Sequence, residues 1–170
     1  MTVNDIRAAA ADVFLARGYE NATMADVAAQ AGVTEDVVRE RFADPAALLE
    51  AVLGPGFDDL ETLLDTEDLT ADEFVRRYVD LSLADRKALT LTMVQSGITT
   101  GHPVLGPRIR PLAQRMLAVL GATGDEASRV HAWAALAVIE STIAFQPDIP
   151  ADRMRAPLVA AARGALLATA

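Results

Sequence analysis

A chain of 170 residues is long enough for one or two small domains sharing a core, and too short for most large α/β enzyme scaffolds. Its 52% hydrophobic content, with only 5% aromatic, comes mainly from Ala, Leu and Val, which favours closely packed helices over sheets and points to an all-α fold. The absence of cysteine excludes disulfides and thiolate metal sites. No apolar run approaches the roughly 20 residues of a spanning helix, and the start, MTVNDIRAAA, lacks the basic flank and apolar core of a secretory signal. The expectation is a soluble, cytoplasmic protein with no membrane association.

Along the chain, Ile6, Ala9, Ala10, Val13 and Phe14 recur at spacings of three and four, which predicts an amphipathic helix from Val3 to Arg17, with Thr2 or Asn4 as its cap and Gly18 as its stop. Thr23 precedes MADVAAQA, a short helix over about 24–31 that Gly32 ends. Thr34 is placed to cap a second short helix, EDVVRERF, with Val37, Val38 and Phe42 on a shared side. Asp44-Pro45 starts a connector helix, which Gly54-Pro55-Gly56 is expected to kink or split. Thr70 caps a helix running to about Arg86, with Phe74, Tyr78 and Leu81 in its buried stripe. The stretch ITTGHPVLGPRIRPL reads as a loop leading into a helix from about Arg108 to Leu120. Gly121 to Asp125 is a turn, and residues 126–145 and 153–168 are alanine-rich helices separated by Pro147 and Pro150. The sum is about nine helices and no sheet.

Two short helices joined by AGVT, with small Ala28 in the first and Gly32 at the turn, form a helix-turn-helix signature, because those residues let the helices approach closely. An amphipathic helix ending FLARGYENATM precedes it and RFADPAALLEAV follows. In this order of helix, Gly-Tyr, Thr, helix-turn-helix, Phe and connector, residues 6–52 resemble the amino-terminal region of the TetR family. The resemblance implies a helix-turn-helix DNA-binding domain over residues 1–46 and a helical effector-binding and dimerisation domain over residues 47–170. It also implies that Thr23 and Thr34 contact phosphates at helix starts, and that Glu35, Asp36, Val37, Arg39 and Arg41 lie at or near the major groove. Where the family usually carries Lys, Gly and Thr, this chain has Glu35, Asp36 and Val37; Arg39 replaces a Tyr and Pro45 a Lys.

Those departures sharpen an electrostatic problem. The formal net charge is −9, and residues 1–50 hold four basic side chains, Arg7, Arg17, Arg39 and Arg41, against nine acidic ones. Phosphate neutralisation supplies most non-specific DNA affinity, so an acidic head works against binding. Each named residue also has a bland role: the threonines as caps, Glu35 and Asp36 as favourable charges in a first turn, the arginines as solvated surface groups or partners of those acids.

Behind the head, resemblance puts Phe57, Phe74, Tyr78, Met93 and Trp133 in the helices around an effector cavity for a small hydrophobic ligand, though any one of them would serve equally in a packed core. The faces Val130, Ala134, Ala137, Val138, Ser141 and Leu158, Ala161, Ala162, Ala165, Leu166 suggest a homodimer through the last two long helices. His102 and His131 lack metal-ligand spacing, and no catalytic triad or phosphate loop stands out, so neither an enzyme nor a cofactor or metal is expected. Two readings remain: a transcriptional repressor that binds operator DNA as a homodimer and is released by a small molecule, or a ligand-binding or protein-interaction module on the same fold that has lost operator binding.

Overall fold

The computed structural model describes residues 2–122 and 124–167. Among them are ten α-helices, one short 3-10 turn at Tyr19–Asn21 and no strand. Three helices make the head: α1 (Val3–Arg17), α2 (Met24–Ala31) and α3 (Glu35–Arg39). Caps set their limits. Thr2 and Thr23 each form a capping box with the Asp three residues on, and Gly32 closes α2 in the left-handed conformation at φ 70°, where a side chain would be strained. The second short helix is only five residues long, against the eight of EDVVRERF. After Arg39 the backbone tightens, with Arg41 N–H donating to the Val38 carbonyl at 3.1 Å, and this turns Phe42 into the core.

The connector α4 (Pro45–Leu64) is capped by Asp44 and runs unbroken through Gly54-Pro55-Gly56. An internal proline costs roughly 3 kcal/mol. Against it, Leu48, Leu49, Val52 and Leu53 are buried at one end of α4, and Leu63 and Leu64 at the other. At roughly 1.5–3 kcal/mol for each large buried side chain, packing outweighs the break.

Then follow α5 (Ala71–Ala84), capped by Thr70 and ended at Asp85, and α6 (Arg86–Val94). The stretch expected as a loop contains a further short helix, α7 (Ser96–Gly101), and α8 begins at Gly106 and runs to Val119. Gly106 is required there, since a Cβ on it would lie 2.2 Å from the Thr100 carbonyl oxygen. Two long helices complete the chain, α9 (Glu126–Phe145) and α10 (Ala151–Leu167); residue 168, expected at the end of α10, lies outside the described residues. Arg86 holds the end of α9 by donating to the carbonyls of Gln146 and Ile149, both at 2.8 Å.

Two apolar cores result. One joins α1, α2 and α3 to the first half of α4, and takes in Ala88 and Leu91 of α6 and Leu105. The other joins the end of α4 to α5, α8, α9 and α10. Packing therefore carries the head beyond residue 46. Two polar links reinforce it: the Gln95 amide donates to the Phe14 carbonyl at 3.0 Å and accepts from Tyr19 N–H at 3.1 Å, and Lys87 pairs with Asp12.

Candidate nucleic-acid interface and effector cavity

On the head, Thr23 is engaged with Asp26 through both its hydroxyl and its amide. Its Oγ1 accepts from Asp26 N–H at 3.1 Å and donates to the carboxylate at 2.8 Å, and its amide donates to the same oxygen at 3.0 Å. These bonds, with Arg17 at 2.8 Å adding less, hold the Asp26 carboxyl below the usual range. Thr34 occupies the N-cap position of α3 but makes no capping bond, contrary to the sequence expectation; the residue is exposed. Along α3, Asp36 is exposed, while Val37 is half-buried and packs against the head core instead of projecting freely. Arg39 is tied to Glu35 one turn earlier, Nε to Oε1 at 2.7 Å and the terminal nitrogen at 2.6 Å. Arg41, in the turn beyond α3, is exposed and has no ion-pair partner among the described residues. The head thus has a helix-turn-helix shape whose recognition helix carries an arginine already neutralised by its own acid.

Behind it lies a cavity of about 270 Å³ between α4, α5, α6, α8 and α9. Phe57, Tyr78, Met93 and Trp133 line it. Phe74 does not: it is fully buried in the body core with its ring stacked on Tyr78, centroids 5.3 Å apart, so it supports the wall from behind. Trp133 is 52% exposed, which sets it at the rim.

Sequence reading missed the cavity's polar end. Tyr78, Ser82 and Asp85 succeed one another at four and three residues along α5 and its cap, and Glu140 of α9 joins them. The Tyr78 hydroxyl donates to Glu140 Oε1 at 2.6 Å. Burial, with Glu140 adding to it, raises the Tyr78 hydroxyl well above its ordinary value, and burial likewise raises the Glu140 carboxyl against the opposing pull of that hydrogen bond. Ser82 is buried and its hydroxyl has no partner among the described residues. A signal for Glu140 existed, a lone acid inside the apolar run AVIESTIAF; none marked Ser82.

The histidines act as backbone clamps. His102 Nδ1 accepts from the amides of Val104 and Leu105 at 3.2 and 3.3 Å, which leaves Nε2–H to donate to the Ala46 carbonyl at 3.0 Å. This pins the first turn of α4 to the α7–α8 connection. His131 Nδ1 donates to the Ala165 carbonyl at 2.8 Å, tying α9 to α10. Among the described residues, no cluster of three metal-ligating side chains occurs and no helix is long and apolar enough to cross a membrane.

On the dimer candidates, Leu158 and Ala162 are buried inside the subunit and are unavailable to a partner. The outward face of α10 includes instead Ala156, Ala160 and Leu167 beside the expected Ala161. On α9, Val130 and Ala137 are exposed, and Ala134, Val138 and Ser141 half-buried.

A helix-turn-helix head on an all-helical body with a largely apolar cavity defines the class: an all-α protein with an amino-terminal helix-turn-helix. Residues 6–52 match the family described as "Bacterial regulatory proteins, tetR family". Over that stretch the chain matches the amino-terminal helix-turn-helix region of the TetR family. The fold agrees over nearly its whole length with a TetR-family regulator from Streptomyces coelicolor, at 22% identity and a TM-score of 0.78, covering 97% of this chain and 90% of that one. It also resembles the TetR-family regulator PfmR from Thermus thermophilus (22% identity, TM-score 0.69, covering 95% and 96%). A third is FadR from Bacillus subtilis in complex with stearoyl-CoA (18% identity, TM-score 0.59, covering 97% and 96%). None of the curated proteins matches the chain in sequence.

Proposed function

We propose that the protein is a cytoplasmic transcriptional repressor that binds operator DNA as a homodimer and is released by a small apolar molecule entering the cavity, with residues 1–46 as the DNA-binding part and 47–170 as the sensing and dimerising part. The observation that carries this reading is the double role of α6. Ala88 and Leu91 pack into the head core, while Ala88, Leu89, Thr92 and Met93 line the cavity. A ligand that displaces α6 has to move the head with it, because close-packed interiors transmit such shifts. Dimerisation is supported by an apolar stripe along α9, in which Val130 is 64%, Trp133 52% and Phe145 59% exposed, beside the small outward residues of α10. Two heads held about 34 Å apart would meet successive half-sites. The complex of the Bacillus neighbour with stearoyl-CoA supports a ligand that carries a long apolar chain.

A second reading, a helical ligand-binding or protein-interaction module without operator binding, is favoured by one observation: Glu35 engages Arg39, so that Arg41 is the cation near α3 left without an ion-pair partner among the described residues. Salt-titrated binding to genomic fragments separates the two. The repressor reading predicts retention of discrete fragments, with affinity that falls as salt rises and a salt slope lowered by about one in Arg41→Ala. If wild type retains no DNA at low salt while Glu35→Lys/Asp36→Gly does, the helix-turn-helix is a scaffold and the second reading holds. Ala134→Arg or Ala160→Arg should yield monomers by gel filtration, because each would bury a charge at the seam.

A further inference from the structure

The cavity wall is chemically lopsided. Leu53, Phe57 and Leu60 of α4, Leu89 and Met93 of α6 and the α8 side chains give an apolar body, while the polar groups gather on α5 and α9. Among the described residues, the only charged side chains that line it are Asp85 and Glu140, both acids; no Lys, Arg or His does. Asp85 uses one carboxylate oxygen to accept from Ala88 N–H at 3.1 Å, and Glu140 uses one to accept from Tyr78. Each keeps a second oxygen. A cation close by, Arg108, lies over the Phe57 ring, 5.4 Å from its centroid, and is already held by Asp58 at 2.6 Å and Glu61 at 2.9 Å.

Resting on the reading of this cavity as the effector site, we infer that it takes an apolar ligand carrying a single amine, received by Glu140, and rejects one ending in a carboxylate. An ammonium brings to Glu140 the countercharge that the protein withholds, and the Tyr78 hydroxyl at 2.6 Å fixes which carboxylate oxygen remains to meet it. The raised Glu140 carboxyl is what a buried acid without a cation should show. A ligand carboxylate would be desolvated beside two acids, in a chain of net charge −9, with no cation to receive it.

Trp133, the single tryptophan, stands at the rim and reports occupancy by its fluorescence. The probes are decylamine, decanol and decanoate, titrated below micelle-forming concentrations, so that one apolar tail is compared with three head groups. The amine should bind at least about tenfold tighter than the alcohol, as expected for one charge-assisted hydrogen bond, and decanoate should bind weakest. Glu140→Gln keeps an acceptor for Tyr78 but no charge; it should erase the amine's advantage and leave decanol unchanged. Decanoate binding as tightly as decylamine, or an amine preference that survives in Glu140→Gln, overturns the inference while leaving the effector site standing. Silence from all three probes overturns both.

Discussion

In the head, α2 and α3 have eight and five residues, lengths at which isolated helices are unstable, and they hold their shape through caps and a small core that borrows Ala88 and Leu91 from α6. In the body, α9 and α10 have 20 and 17 residues and share an apolar core, and α10 is tied to α5 by ion pairs such as Arg155 with Asp80, yet the same body leaves about 270 Å³ unfilled. The head cannot rearrange alone, whereas the body tolerates a void. Two helices join them: α4, with one end in each core, and α6, with one side in the head core and the other on the cavity.

The sharpest way to break this contrast is to truncate α6 on its head side. Leu91 is fully buried, and Leu91→Ala should cost about 2–5 kcal/mol, read as a lowered midpoint in denaturant unfolding. Leu136→Ala in the body should fall toward the lower end of that range, since Leu136 already lines the cavity and has fewer contacts to lose. Equal losses would mean the two cores are not differently packed. A smaller effect is expected at the clamp between α4 and α8. His102→Ala leaves the amides of Val104 and Leu105 without their acceptor, and should cost about 1–3 kcal/mol in the same measurement.

The smallest effect belongs to a head cap. Thr23→Ala removes the capping box of α2 and should cost about 1 kcal/mol at neutral pH. Because Thr23 holds the Asp26 carboxyl below its ordinary value, the folded state gains from the ionised form. That gain is complete above about pH 4 and disappears as pH falls through the lower folded value. The gap between wild type and Thr23→Ala, followed by thermal unfolding, should therefore narrow in acid.

Much of this architecture is written locally. Thr2, Thr23, Asp44 and Thr70 each announce a helix start, and Gly18 and Gly32 announce stops, because capping is decided within four residues. Interactions across the chain were not legible. Pro55 reads as a break, and only the buried leucines on both sides of it keep α4 continuous. The glycines and prolines of ITTGHPVLGPRIRPL read as a loop, and the close packing of Gly106 on Thr100 shows why the chain can hold α7 and α8 in so short a span. Four of the five named aromatic or methionine cavity residues do line it, because family resemblance carries helix positions. Phe74 fails since periodicity gives the buried side of α5 without saying which part of that side meets a core and which a cavity. The Tyr78–Glu140 pair joins residues 62 apart and has no local signature.

The central claim is that the cavity and the head communicate through α6, and it can be tested without knowing operator or ligand. Ala113→Phe, on the α8 wall, places a ring in the cavity away from the head. Amide hydrogen exchange, compared with wild type, should change in α6 and also in the helices it packs against in the head, α1 above all, where Gln95 holds the Phe14 carbonyl and Lys87 holds Asp12. Changes confined to α5, α8 and α9, with α1 and α6 exchanging as in wild type, would contradict the account.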